Sequence, residues 1–295
     1  MKYSFKKSVL AVTASMMMSV SAWAASPADT YQQAVNTMIH HPQGTYTMQV
    51  QADMPVIGTG TCTTKVDVQE KPFVSKIEVS AAALGKASPT VHGYAEQEGK
   101  KIVYYYDGQY AKLDAKGTDK TTWVKNTIDL KSAEPVIQQL AGPHHVLAGV
   151  KAVTAKGNVY TVTYDMTKLY TPGDEIQWKK QGASEKDIEM IKGILQALQQ
   201  AGDIKTDVTI DFQSNRITKV DIPLTSQVRS ALEAALKHGS PAWKDKDELL
   251  QFIALSDVSL SITWAELPRG IELSVPSDVK KTAKEYGKRI QITSL

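Results

Sequence analysis

The chain has 295 residues, 42% of them hydrophobic and 22% charged, with a formal net charge of +3. This composition suits a folded globular protein and excludes a disordered one. The charge is too small to gather nucleic acid or anionic lipid through a global field.

Lys2, Lys6 and Lys7 precede an apolar run from Val9 to Val20, and Ala22-Trp23-Ala24 follows. That order predicts a secretory signal peptide over residues 1–24, cut after Ala24. The apolar run is shorter than the about 20 residues of a permanent span. No cysteine lies at the cut, so the mature chain is expected to be soluble, with neither a lipid anchor nor a transmembrane segment. The expected location is the periplasm, or the exterior where an organism has no outer membrane. The leader holds three of the 34 basic residues and none of the 31 acidic ones, which leaves 31 of each in the mature chain. Cys62 is the single cysteine. No internal disulfide can form, and the thiol is expected as a small buried side chain on a strand.

The mature chain should open on a helix. Ser26 caps it, Pro27 suits its first turn, and Tyr31, Ala34, Val35, Met38 and Ile39 form one apolar stripe before Pro42. Period-two patterning follows. Tyr46, Met48, Val50, Ala52 and Met54 alternate with polar residues and should point inward. Cys62 to Val68 follows a bend at Gly58 and Gly60, and Phe73 to Ala81 makes a third strand of an antiparallel meander. Lys101 to Tyr106, Asp107-Gly108 and Gln109 to Leu113 predict a tight hairpin that sets Tyr105 opposite Tyr110. Ile102, Tyr104 and Tyr106 then share one face, and Val103, Tyr105 and Tyr110 the other. Both faces need cover, from a helix, a ligand or a partner.

A short strand at Trp123-Val124 and a helix from Leu130 to Leu140 come next. Strands at 146–155 and 159–164 flank the turn at Gly157, and a helix runs from Ser184 to Gly202. Two strands flank Ser214-Asn215, and helices are expected near Val228 to Leu236 and Leu249 to Ile253. Val258 to Trp264 alternates as a strand that Ile271 and Leu273 should continue, and the tail from Pro276 to Gly287 should be helical. No linker divides the pattern. The expectation is one α+β domain over residues 25–295, built on a curved antiparallel sheet covered by several helices.

Few residues offer chemistry. The histidines at 40 and 41, and at 144 and 145, are neighbours whose side chains diverge, and zinc-ligand spacing is absent, so no metal site is assigned. No nucleophile elbow, phosphate loop or dinucleotide fingerprint occurs. No catalytic residue, cofactor or nucleic-acid partner is therefore expected, and the chain does not read as an enzyme. The candidate binding material is aromatic: Tyr104, Tyr105, Tyr106, Tyr110 and Trp123. These residues suit either cross-strand packing or the lining of an apolar cavity.

The run Lys101-Ile102-Val103-Tyr104-Tyr105-Tyr106-Asp107-Gly108-Gln109-Tyr110-Ala111-Lys112, with Trp123-Val124-Lys125 downstream, resembles an uncharacterised family of bacterial envelope proteins. The order of elements is similar to that of the LolA/LolB lipoprotein carriers and the LppX/LprG lipid carriers. That resemblance implies a half-open β-barrel whose concave face is covered by helices, with an acyl-chain cavity between them. It implies a lipid or other apolar small molecule as ligand. The alternative is a structural or protein-interaction module of the envelope, with a protein partner and a closed core.

Overall fold

The computed structural model describes residues 26–54, 58–83, 85–107, 123–129, 149–168, 175, 185–238 and 255–285. The signal peptide expected over residues 1–24, Tyr110, the helices expected near 130–140 and 249–253, and the His144-His145 pair lie outside the described residues.

The helix α1 (Pro27–His40) starts as its sequence dictates. Ser26 Oγ accepts from the Asp29 amide, and the Asp29 carboxylate accepts from the Ser26 amide. Tyr31, Ala34 and Val35 form its buried stripe. The first strands follow in order: β1 (Gly44–Met54), β2 (Gly58–Gln69), β3 (Val74–Ala83), the short β4 (Lys86–Ala87), β5 (Val91–Glu98), β6 (Lys101–Asp107) and β7 (Trp123–Asp129). The later part contains β8 (Val150–Lys156), β9 (Val159–Tyr164), α2 (Glu185–Gln200), β10 (Ile204–Asp211), β11 (Arg216–Pro223), α3 (Thr225–His238), β12 (Asp257–Ala265), α4 (Ser277–Thr282) and β13 (Lys284–Glu285).

These elements form a mixed α+β structure dominated by one large curved sheet that does not close. Thirteen strands belong to it among the described residues, in the order β13-β7-β6-β5-β3-β2-β1-β12-β11-β10-β9-β8, with β4 beside β3. Chain neighbours are sheet neighbours almost throughout, so the sheet is two antiparallel meanders. They are joined where β1 pairs with β12, from Thr45 opposite Ala265 to Asp53 opposite Asp257. The two-residue pairing of β13 with β7 is parallel.

Register assigns the faces. One row runs Tyr160, Val208, Val220, Ile262, Met48, Thr64, Val79, Val91 across eight strands. The adjacent row on the other face reads Lys219, Thr263, Thr47, Lys65, Glu78, His92. One side of the sheet is therefore apolar over most of its width, and its back is polar.

Two cores hold the sheet's cover in place. On the apolar face, Tyr31, Ala34 and Val35 of α1 pack against Tyr160, Val162, Val208 and Ile210. On the back, Val275 and Val279 pack against Val74, Val103 and Tyr105. The second core answers the need for cover on the Val103–Tyr105 face: the chain's own 273–283 segment supplies it. Lys280 Nζ and Tyr105 Oη both donate to the Glu96 carboxylate, which pins α4 to β5 and β6.

Several expectations are corrected. β6 has both edges filled, by β5 and β7, and Tyr105 stands opposite Tyr94 and Lys125 rather than Tyr110. Gly58 and Gly60 lie within β2, not in a bend before it. Ile271 and Leu273 do not continue the sheet as a strand, because the Leu273 amide is taken by the Gln69 side chain at 2.8 Å. The tail helix is short, ending at Thr282 before β13. Cys62 is exposed, not buried. It shares the apolar row of Val50 and Ala81, yet Met48 and Val50 beside it are 36% and 41% exposed. The even positions of β1 do share the apolar face, but only Tyr46 among them lines the cavity, and the expectation that Met48 and Val50 point inward is corrected to exposed.

Candidate functional site

Between α1 and the apolar face lies a cavity of about 440 Å³, within the range of small-molecule sites. Strands β9 to β12 and β1 form its floor, and Tyr31, Val35, Met38 and Ile39 of α1 its roof. The floor crosses five neighbouring strands, so it extends for about 19 Å at the usual spacing of about 4.8 Å per strand. Apart from Met38 and Thr206 its walls are aliphatic or aromatic, and no charged residue lines it.

Five side chains around this cavity carry a hydrogen-bonding group. Tyr31 and Tyr164 pair hydroxyl to hydroxyl at 2.6 Å. Burial pushes both phenols up from their ordinary range. Tyr46 Oη donates to the Pro42 carbonyl at 2.8 Å, and Trp264 Nε1 donates to the Gln43 carbonyl at 3.3 Å. The fifth is Thr206, 2% exposed, whose Oγ1 has no hydrogen-bond partner.

At the Trp264 end the character changes. A second cavity, of about 480 Å³, shares Trp264 as a wall and is polar, with Arg216, Arg269, Glu70 and Glu266 around it. Arg216 stacks on the indole and also donates to the His41 carbonyl. Elsewhere His92 Nδ1 lies 3.6 Å from Glu78, beside the Lys76–Glu78 ion pair.

The aromatic residues singled out from the sequence do not converge. Tyr104 and Tyr106 share the apolar face with the cavity, since Tyr106 belongs to the row of Gly93, Ile77, Val66, Tyr46 and Trp264. They stand on β6, remote from the strands that line the cavity. Tyr105 and Trp123 lie on the back. Tyr105 is buried in the second core, and Trp123 packs on Tyr94 with ring centres 5.7 Å apart. Sequence reasoning missed Tyr31, Tyr164, Thr206 and Trp264. Their only signal was the apolar parity of each element, which marks a side as inward without showing which strands face α1. No protein-family model matches this chain, and no curated protein does.

Proposed function

We propose that this protein binds or carries a lipid or other neutral apolar molecule in the cavity between α1 and the sheet. The observation that carries the reading is the cavity itself: long, uncharged and lined almost wholly by apolar side chains. A cavity of this volume is far larger than the voids that ordinary packing leaves. Its floor is as long as an extended long-chain acyl tail. The exposed apolar residues Met48 and Val50 continue the floor beyond α1, in the direction a longer tail would take. The antiparallel curved sheet with a covering helix also fits the half-open barrel plan of the lipid carriers that the sequence resembles. Export to the cell envelope belongs to the same reading, resting on the signal-peptide pattern of residues 1–24.

Uptake of the neutral dye N-phenylnaphthylamine by the purified protein tests this. Fluorescence should rise saturably, and the cavity-filling variants Val220→Phe and Ile262→Phe should abolish the rise while keeping the folded circular-dichroism spectrum. A wild-type protein that takes up no dye would favour the closed envelope module.

A further inference from the structure

The polar cavity beyond Trp264 differs in kind from the apolar one. It lies where the start of β11, the end of β12, the residue after β2 and the 266–271 segment meet. Two guanidiniums, of Arg216 and Arg269, and two carboxylates, of Glu70 and Glu266, line it, so their formal charges cancel. Elsewhere opposite charges that meet also pair, as in Lys65–Asp67, Lys76–Glu78, Lys219–Asp221 and Lys280–Glu96. Around this cavity, among the described residues, no guanidinium pairs with a carboxylate.

All four side chains have capacity to spare. Arg216 has hydrogen-bond partners only at Nη1, which leaves Nε and Nη2 to donate. Arg269 is second in a turn closed by the Ile271 amide, which donates to the Pro268 carbonyl at 3.3 Å. Gly270 follows it at φ +80°, as a type II turn requires. The turn fixes the Arg269 backbone while its side chain stays exposed, and Glu266 is exposed as well. Glu70 has only His41 Nδ1, at 4.0 Å, as an ion-pair partner, and its enclosed Oε1 makes no hydrogen bond. A cation in the cavity would offset that charge through space without touching the enclosed oxygen.

Both signs in one cavity select against a simple ion. An anion drawn to the guanidiniums would meet the carboxylates, and a cation the reverse. A molecule with an ammonium at one end and a carboxylate at the other satisfies both pairs. The same wall carries Leu267 and Ile271, the latter 52% exposed, which gives side chains an apolar seat. A single amino acid would leave much of the 480 Å³ empty, and two or three residues would fill it.

We infer that this cavity binds a short peptide with both termini free, its carboxylate on Arg216 and Arg269 and its ammonium facing Glu70 and Glu266. The inference does not depend on what the apolar cavity holds.

Isothermal titration calorimetry at low ionic strength tests it, with trialanine, free alanine, N-acetyl-trialanine and trialanine amide. Trialanine should bind saturably, and each blocked form at least about tenfold more weakly, in line with a lost charge-assisted hydrogen bond. Free alanine, too small to fill the cavity, should also bind more weakly. Arg269→Gln should shrink the penalty of amidation, and Glu266→Gln that of acetylation. Both side chains are exposed, so both variants should keep the folded circular-dichroism spectrum. A folded protein that does not bind trialanine, blocked peptides or free alanine that bind as tightly, or penalties unchanged in both variants would each overturn the assignment.

Discussion

The guanidinium carbon of Arg216 lies 4.6 Å from the ring centre of Trp264, and its Nη1 donates to the His41 carbonyl at 2.7 Å. One side chain therefore ties the C-terminal end of α1 to β11 and β12. Asn215, next to it, donates to Thr37 Oγ1 at 3.2 Å and adds a second tether. The roof of the cavity is held at this end by polar groups, and at its start by burial of Tyr31, Ala34 and Val35.

Arg216→Ala should lower stability by about 1–3 kcal/mol, combining a lost cation–π stack with an unpaired helix-end carbonyl. Arg216→Lys should recover only part, because an ammonium lacks the planar guanidinium face. Urea unfolding measures this, and an unchanged midpoint for both variants would refute the tether.

Gly44 enters β1 at φ +150°, and a Cβ there would overlap the Trp264 indole nitrogen. Gly44→Ala should cost roughly 1–3 kcal/mol from backbone strain, with the clash added. In a double-mutant cycle with Trp264→Leu the two losses should be less than additive. Full additivity would mean that the indole does not crowd Gly44.

Most of the strand order could be read from the sequence because period-two alternation is strong in β1, β2, β9, β11 and β12. β5 was not, since Val91, Gly93 and Ala95 give too weak an apolar signal beside His92, Tyr94 and Glu96. The tyrosine run of β6 was correctly split between two faces. Its partner across β6 was misassigned, because Asp107-Gly108 is a strong local hairpin signal and β7 is a non-local competitor. The cavity was not legible at all. It exists because α1 stands over β9 to β12 and β1 without filling the space beneath it, a matter of helix placement that no local pattern encodes.

Burial holds the phenols of Tyr31, Tyr105 and Tyr164 above their ordinary pKa, with the Glu96 carboxylate acting in the same direction on Tyr105. The contribution is fully present below about pH 10, where tyrosines of the unfolded chain are still protonated. Above that pH the unfolded chain releases protons that the folded state retains, so stability falls as pH rises. In an ultraviolet titration, part of the chain's 12 tyrosines should ionise only together with loss of the folded signal. Complete ionisation of a still-folded protein would contradict the burial of these three.

Cys62 is exposed on the sheet face, so Cys62→Ser should change stability by no more than about 0.5 kcal/mol. The thiol should react with a disulfide reagent in the native protein as quickly as in denaturant. A thiol protected until unfolding would show that this part of the face is covered.

Native mass spectrometry of the protein, purified without detergent, addresses the binding reading most directly. Wild-type protein should carry an adduct of lipid mass that organic extraction removes, and Val220→Phe should carry none. A wild-type mass equal to that of the bare chain, with nothing released on extraction and no uptake when lipid is added back, would contradict it.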